Sequence, residues 1–223
     1  MTTPRILLIC LVVYLLLVGG FVGLAGELDS LDWATLAVTC VFHFVVALLC
    51  AHDKGLFRER LKPGPGAPLW DRILVRFMKL VMLASLVVVL LDIGRFHWTP
   101  ELTDAWRIVG LVGIALGMVL TGWTMRTNTF FSSVVRLQED RGHHLIQEGP
   151  YGLVRHPGYV GILLFFTGFN LGLGRLSGII FAVALAVLLV YRIVREERFL
   201  HRQLDGYGDY TRQVRWRLIP WIW

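Results

Sequence analysis

The sequence predicts an all-α integral membrane protein of about six transmembrane helices, in which the last two form a tight hairpin beneath a cytoplasmic C-terminal cap. Of the 223 residues, 56% are hydrophobic and only 17% are charged, whereas soluble domains average about 25% charged residues. Long uncharged runs recur along the chain, among them 7–26, 33–51 and 80–91. A bilayer core of about 30 Å requires about 20 apolar helical residues. A transmembrane β-barrel would instead show alternating apolar and polar residues.

Six helices account for the apolar runs, and they divide the chain into two parts of one integrated domain. Residues 1–125 contain the first four helices, and residues 126–223 contain a polar segment, the last two helices and the cap. The first apolar run is longer than the roughly 7–15 residues of a signal peptide, so it is interpreted as a retained helix. The predicted helices span about residues 5–26, 33–51, 72–92, 104–125, 158–173 and 176–194.

The distribution of basic residues predicts the orientation of these helices. Lysine and arginine concentrate in 54–72, 126–155 and 195–217, whereas 27–32 is acidic and 92–104 is mixed. The positive-inside rule therefore predicts that both termini are cytoplasmic, in what we expect to be a bacterial inner membrane. The formal net charge of +6 is explained by this orientation, so we expect no nucleic-acid partner.

The cysteines and the proline-rich loop are predicted to be structural. Cys10, Cys40 and Cys50 all lie in apolar runs and form no C-x-x-C pair, which is typical of small core residues. The segment "KPGPGAP", residues 62–68, is predicted to be a stiff, non-helical spacer.

The stretch "EGPYGLVRHPGY", residues 148–159, combines polar side chains with residues that interrupt helices. It precedes the fifth helix, and a second polar cluster follows the sixth helix. Because an antiparallel hairpin brings its two far ends together, we expect the two clusters to meet. The side chains expected to meet are Arg155, His156 and Tyr159 from the first cluster and Arg192, Glu196 and Glu197 from the second.

A pocket built in this way would have a polar side toward the cytosol and an apolar floor toward lipid. That arrangement suits a reaction between a water-soluble reagent and an acceptor dissolved in the membrane. Pro157 prevents the helix from extending toward its N-terminal side, which leaves backbone groups free. Free carbonyls, carboxylates and tyrosine rings favour a cationic ligand, and the sulfonium of S-adenosylmethionine is one candidate.

Three segments, "GPYGLVRHPGYVG", "RIVREERFL" and "GYGDYTRQVRWRLIP", resemble the isoprenylcysteine carboxyl methyltransferase family, and we expect a bacterial-type member. This family is related to the phospholipid N-methyltransferases. The resemblance covers about 128–223 and implies that 126–223 is the methyltransferase region, with S-adenosylmethionine bound under the C-terminal cap. It implies cofactor contacts at His143, His144, Leu145, Ile146, Tyr151, Arg155, His156, Pro157, Tyr159, Glu196, Glu197, Tyr207 and Tyr210.

The resemblance also implies that Arg192 orients the methyl acceptor and that Glu196 takes part in catalysis. Three details depart from the family pattern. The tail residues Leu204 to Tyr207 are one residue shorter than usual, which affects the register of Tyr207 and Tyr210. Gly158 stands where serine is common, and the hairpin turn lacks an Asn-Pro pair.

The chemistry of the acceptor favours a carboxylate. A carboxylate has a pKa near 3.5 and is already ionised, whereas an amine with a pKa near 10 would need a base. Arg192 could hold a carboxylate through its fork of donors. Glu196 or His156 could instead act as a base, which keeps an amine acceptor open.

Simpler interpretations exist for the same residues. Arg155 and Arg192 could extend to the membrane interface, as basic residues near helix ends commonly do. Arg192 and Glu196 are spaced i,i+4 and could simply pair. Glu196 and Glu197 point about 100° apart on a helix, so one of them, for which we favour Glu196, would face the cofactor.

No metal is expected, because the three histidines at 143, 144 and 156 have no carboxylate at ligand spacing. The function predicted is methylation of a lipophilic, membrane-associated acceptor. Alternatives are methylation of a phospholipid amine or a small thiol, and a non-catalytic protein on the same fold. A transporter is disfavoured, because there are no related halves and the charges lie on one face. The sequence does not indicate an oligomeric state.

Overall fold

The computed structural model describes residues 3–61 and 63–223, and it is helical. Lys62 and the side chains of Cys10 and Cys50 lie outside what the structure describes, and the cysteine prediction can be followed only for Cys40, which is a free thiol. The helices are α1 Thr3–Ala25, α2 Ser30–His52, α3 Lys54–Leu61, α4 Leu69–Leu91, α5 Asp104–Thr127, α6 Pro157–Gly172, α7 Ser177–Gln203 and α8 Tyr207–Gln213.

An all-helical membrane protein is confirmed, whereas the count of six spans stays a prediction. Within the described residues there is no strand, only an isolated bridge between Glu101 and Arg175. Helix α6 is apolar but only 16 residues long. Four helical segments of the described part are long and apolar enough to cross a bilayer: Ser30–Leu49, Leu69–Phe96, Asp104–Thr127 and Ser177–Gln203.

Several boundaries differ from the predicted ones for local reasons. Helix α2 begins at Ser30 because Asp29 and Asp32 form a capping box, in which each carboxylate accepts the other residue's backbone N–H. Helix α7 runs to Gln203, nine residues past the predicted end. The prediction ended at the last apolar residues, whereas the charged residues that follow continue the same helix. The short α3 was not predicted, and 63–68 is non-helical as predicted.

The closest helix pair is α5 with α6, not the predicted hairpin of α6 with α7. Glycines line the contact on both helices: a Cβ added at Gly110 would lie 2.5 Å from the backbone N of Gly172, and one added at Gly117 would lie 2.6 Å from that of Phe165. Small residues allow membrane helices to approach this closely. Helices α6 and α7 are antiparallel neighbours, but their contact is built from larger side chains such as Phe166 and Leu185.

Helix α4 packs against α7 and completes the bundle. Leu74 and Met78 of α4 share a buried cluster with Leu185 and Leu189 of α7. At the C-terminal end of α6, the α6–α7 turn is tied to the loop before α5, since Arg175 donates to Glu101 at 2.6 Å. These contacts set the relative positions of α4, α6 and α7, which together carry the site.

Candidate active site

One cavity gathers most of the residues that the sequence singled out. It lies where α5 ends, α6 begins and α7 passes into α8, and its empty volume is about 840 Å³, including solvent at its mouth. Two of the predicted residues, Pro157 and Glu197, do not line it. The predicted residues that do line it are His143, His144, Leu145, Ile146, Tyr151, Arg155, His156, Tyr159, Arg192, Glu196, Tyr207 and Tyr210.

The two polar clusters meet at Tyr159 and Glu196. The Tyr159 hydroxyl donates to a Glu196 carboxylate oxygen at 2.5 Å, which joins the first turn of α6 to the end of α7. The His156 ring stacks on Tyr159, with centroids 5.5 Å apart and planes 13° from parallel. The cavity wall therefore combines a carboxylate with aromatic faces, and both attract a cationic ligand.

Glu197 lies behind this wall in a buried network of charged groups. Its carboxylate accepts from Arg155 Nε at 2.6 Å and from Arg217 Nε at 2.8 Å, and it lies 3.3 Å from Nε2 of His156. Both carboxylate oxygens of Glu197 are engaged in these contacts, and Glu197 does not line the cavity. Its helical neighbour Glu196, about 100° away, is the one that does.

Arg192 does not pair with Glu196, so the i,i+4 interpretation is wrong. Its Nε and Nη2 donate to the two oxygens of Asp71 at 2.9 and 3.3 Å, and Nη2 also donates to the Ser133 carbonyl at 3.0 Å. Both side chains are buried, so snorkelling to the interface does not describe Arg192 either. Among the described residues, Nη1 of Arg192 has no hydrogen-bond partner.

Helix α8 and the C-terminal tail cover the cavity. Gly206 adopts a left-handed conformation with φ of 78° and turns the chain so that α8 begins at Tyr207. Both tyrosines of α8 are buried: the Tyr210 hydroxyl donates to the Tyr151 carbonyl at 2.8 Å, whereas the Tyr207 hydroxyl has no partner among the described residues. Burial raises the pKa of Tyr207, so its hydroxyl stays a protonated donor.

The tail is fastened to the start of α6 by its backbone. The N–H groups of Arg155 and His156 donate to the carbonyls of Trp216 and Arg217 at 2.9 and 3.0 Å. Nη1 of Arg155 also donates to the carbonyls of Val214 and Arg215, each at 2.8 Å. Arg155 thus lines the cavity and holds the tail over it, a double role that the sequence alone did not indicate.

Known proteins resemble this chain in sequence and in fold. A protein of Oryza sativa subsp. japonica named "Probable protein-S-isoprenylcysteine O-methyltransferase" is 32% identical over 188 residues, which is 82% of this chain and 92% of the rice protein. This chain belongs to the protein-S-isoprenylcysteine O-methyltransferase family. "Protein-S-isoprenylcysteine O-methyltransferase B" of Arabidopsis thaliana is 33% identical over 138 residues, or 59% of this chain and 70% of that protein.

Two further comparisons agree with membership of the O-methyltransferase family. The family model described as phospholipid methyltransferase matches residues 105–206. The solved structure of the eukaryotic intramembrane Ras methyltransferase, isoprenylcysteine carboxyl methyltransferase, superposes with a TM-score of 0.50 at 19% identity, covering 97% of this chain and 86% of that one. That likeness shows a shared fold. The relatives named here are plant proteins, so a bacterial origin stays a prediction.

Sequence reasoning missed several residues that shape the cavity of this O-methyltransferase. Asp71 orients Arg192, and Asn128, just after α5, donates from Nδ2 to the Tyr151 hydroxyl at 2.8 Å. Asp71 had one sequence signal, since it is an acidic residue in the first turn of an apolar helix. Asn128 had none, because asparagine after a helix is common at C-termini.

The segment between α5 and α6 is held in place by a buried ion pair that was also missed. Arg136 donates to both oxygens of Glu59 in α3, at 2.8 and 2.7 Å, and Ser132 donates to the same carboxylate at 3.0 Å. Although burial acts to raise the pKa of Glu59, the Arg136 hydrogen bonds lower it below its usual value. Glu59 therefore stays ionised, and α3 serves as the outer support of the cavity wall.

His143 contributes a neutral, stacked ring to that wall. Its ring lies 4.5 Å from the ring of Phe130 with planes 21° from parallel, and Nδ1 accepts the backbone N–H of Gln138 at 3.1 Å. Burial, with smaller contributions from nearby cations, lowers the pKa of His143 to about 4. Within the described residues no cluster of three His, Cys, Asp or Glu is arranged to hold a metal.

Proposed function

We propose that this chain methylates the carboxylate of a lipophilic, isoprenylcysteine-type acceptor in the membrane and takes the methyl group from S-adenosylmethionine. The observation that carries the proposal is the shared cavity. Arg192 and Glu196, one turn apart on α7, line it together with His156 and Tyr159 at the start of α6. Membership of the O-methyltransferase family supports the same reaction.

The cavity offers S-adenosylmethionine a hydrogen-bond donor, a carboxylate and aromatic rings. The buried Tyr207 hydroxyl has no partner among the described residues and would donate to a polar group of the cofactor. The Glu196 carboxylate and the aromatic rings that line the cavity present negative charge and aromatic faces to a cation. The Tyr159 ring itself lies under the Arg192 guanidinium, whose Cζ is 5.4 Å from the ring centroid. When bound, S-adenosylmethionine supplies a methyl group activated by its sulfonium.

Arg192 has the remaining capacity to orient a carboxylate acceptor. Asp71 takes Nε and Nη2, which aligns the guanidinium, and Nη1 makes no hydrogen bond to a described residue. A carboxylate acceptor is ionised at neutral pH and needs no base, so the protein's contribution is alignment and exclusion of water. Bidentate support of an arginine by one carboxylate gives the free nitrogen a defined direction.

The arrangement in the membrane is part of the proposal. We assign cofactor binding to residues 126–223, under a cap formed by α8 and the tail, and six spans with both termini cytoplasmic. The basic residues of 54–72, 126–155 and 195–217 support this orientation, since positive charge is retained on the cytoplasmic side. The same rule is consistent with a bacterial inner membrane.

A phospholipid amine is the second candidate acceptor, and one finding favours it. The phospholipid methyltransferase model matches residues 105–206, which include all of α6 and α7. An amine acceptor must lose a proton, so it would require Glu196 or His156 as a base. The two candidates differ in the bond that is formed, an ester in one case and a carbon–nitrogen bond in the other.

The test uses this difference in product chemistry. The full chain in lipid nanodiscs is incubated with methyl-labelled S-adenosylmethionine and one of three acceptors: an S-prenylated N-acylcysteine, membrane phospholipids or a small thiol. Under the proposal, label enters the prenylated cysteine and mild base releases it as volatile methanol. Base-stable label in phospholipid would favour the amine, and base-stable label in a thiol would favour a thiol acceptor. No transfer by well-folded protein to any acceptor would overturn the proposal.

A further inference from the structure

A second groove lies next to the cavity and is lined by positive charge. It lies between the proline-glycine loop 63–67 and the first turns of α4, and we call it the basic groove. Its described lining residues include no Asp or Glu. Its cationic residues are Arg60, Arg72, Arg76 and Lys79.

Three of these cations form a stripe along α4. Arg72, Arg76 and Lys79 are spaced i, i+4 and i+7, so they lie on one face of the helix, and all three are exposed. At 1.5 Å per residue the stripe extends about 10 Å along the helix axis. No carboxylate among the described residues pairs with any of the three.

The stripe occupies the beginning of a membrane-spanning helix. The candidate span Leu69–Phe96 starts three residues before Arg72, so the stripe runs from the span's end inward. Cations at this depth are costly unless they are paired or reach the interface, and the headgroup region supplies phosphate anions at the depth of the stripe. Arginine forks suit a phosphate in particular.

An apolar stripe runs beside the basic one. Ile73, Phe77 and Leu80 are spaced in the same way, one position further along the helix, and are 56%, 53% and 61% exposed. A molecule that satisfies both stripes carries an anionic head and a hydrocarbon tail. A free phosphate would satisfy only the basic stripe.

We propose that the basic groove binds an anionic phospholipid, with its phosphate held by Arg72, Arg76 and Lys79 and its acyl chains lying along Ile73, Phe77 and Leu80. The groove shares one wall residue, Val134, with the methyl-transfer cavity, and its own wall also includes the neighbouring Ser133. The bound lipid therefore contacts the back of the segment whose Ser133 carbonyl accepts from Arg192. Lipid binding goes beyond the proposed function and can be measured without any methyl donor.

The experiment compares lipid retention in two charge-matched variants. The full chain is reconstituted in nanodiscs of mixed phosphatidylglycerol and phosphatidylcholine, released into detergent, and its retained lipids are quantified by native mass spectrometry. The groove variant is Arg72→Gln, Arg76→Gln and Lys79→Gln. The control variant, Arg58→Gln, Arg212→Gln and Arg215→Gln, removes three exposed arginines that do not line the groove.

The wild type and the control are expected to retain phosphatidylglycerol in preference to phosphatidylcholine. The groove variant should retain at least about 10-fold less phosphatidylglycerol. A charge-preserving variant, Arg72→Lys with Arg76→Lys, should keep most of the retention, and it separates loss of charge from loss of folding. Equal retention in the groove variant overturns the proposal, as does an equal loss in the control. Displacement of the lipid signal by millimolar inorganic phosphate would also overturn it, because the ligand would then be a soluble anion.

Discussion

Asp71 and Arg192 are joined by two hydrogen bonds across 121 residues of sequence, from the first turn of α4 to the second half of α7. The Asp71 side chain is fully buried, and its Oδ2 also accepts the backbone N–H of Val135 at 2.7 Å. One carboxylate therefore links α4, α7 and the segment that forms the cavity wall. In this O-methyltransferase, Asp71 determines where the Arg192 guanidinium lies.

Replacing Asp71 with Asn should reduce methyl transfer while leaving cofactor binding nearly intact. The Asn side chain keeps the shape but leaves Arg192 without its counter-charge, and breaking a buried pair typically costs about 3–5 kcal/mol of stability. We expect kcat to fall about 10- to 100-fold and the acceptor KM to rise, with S-adenosylhomocysteine affinity within about threefold of wild type. Steady-state kinetics and calorimetry check this.

Two controls distinguish positioning by Asp71 from a purely structural role. Asp71→Glu should recover part of the turnover, because it restores the charge near Arg192. Asp140→Asn removes an exposed partner of Arg136 and should change neither kinetic constant. If Asp71→Asn weakened cofactor binding as much as turnover, the positioning role would be wrong.

Glu196 and Glu197 should respond to substitution in different ways. Glu196→Ala removes a carboxylate from the cavity, so S-adenosylhomocysteine binding should weaken about 10-fold. The buried Tyr159 hydroxyl loses its acceptor, which should cost only about 1–3 kcal/mol of stability. Glu197→Ala leaves Arg155 and Arg217 without a counter-charge, so it should lose about 3–5 kcal/mol of stability. Calorimetric titration and thermal unfolding of both variants measure the contrast, and a reversed pattern would contradict the assignment of the two glutamates.

Tyr207→Phe should weaken ligand binding without destabilising the ligand-free protein. The hydroxyl is buried without a described partner, so its removal relieves a desolvation cost of about 1–3 kcal/mol in the absence of ligand. We expect S-adenosylhomocysteine affinity to drop about fivefold while the melting temperature stays equal or rises. Tyr210→Phe is the matched control: it loses the bond to the Tyr151 carbonyl and should lower the melting temperature. Unchanged S-adenosylhomocysteine affinity in Tyr207→Phe would show that the Tyr207 hydroxyl does not bind the ligand.

The cavity wall should loosen in mild acid because of His143. Its pKa is about 4 in the folded protein and about 6.5 in an unfolded chain, so the unfolded state binds more protons between these values. The contribution of neutral His143 to the free energy of unfolding is therefore complete above about pH 6.5. It is lost progressively as the pH falls toward about 4. Hydrogen exchange of residues 138–146 should rise across that window. His143→Gln should flatten the dependence, and His144→Gln, at an exposed position, should not.

The α5–α6 contact should not tolerate a methyl group. A Cβ at Gly168 would lie 2.5 Å from the Gly110 carbonyl oxygen, so Gly168→Ala must push the helices apart, at a cost of about 1–3 kcal/mol. Gly122→Ala in α5 is the control, since its nearest neighbour, a Leu49 methyl, lies at 3.6 Å, an ordinary contact distance. Equal stability of the two variants would show that close glycine packing contributes little here.

The sequence by itself determined the helical membrane architecture, because the length and charge content of apolar runs are local properties that the bilayer imposes. It also determined that 155–159 and 192–197 meet, because the short α6–α7 connection leaves an antiparallel return as the only route. The three segments that resemble the family are short stretches of sequence, so they too could be identified without a structure. They led to the family that the comparisons show.

Only the tertiary structure decided how these helices rotate and which distant groups they bring together. Whether Glu196 or Glu197 faces the cavity depends on the rotation of α7, which is set by packing against α4 and α6. The pairing of Arg192 with Asp71, rather than with the nearby Glu196, joins residues 121 positions apart. The sequence lacks this information because the energy of a buried ion pair depends on the orientation and desolvation of both groups, and neither is a property of the local chain.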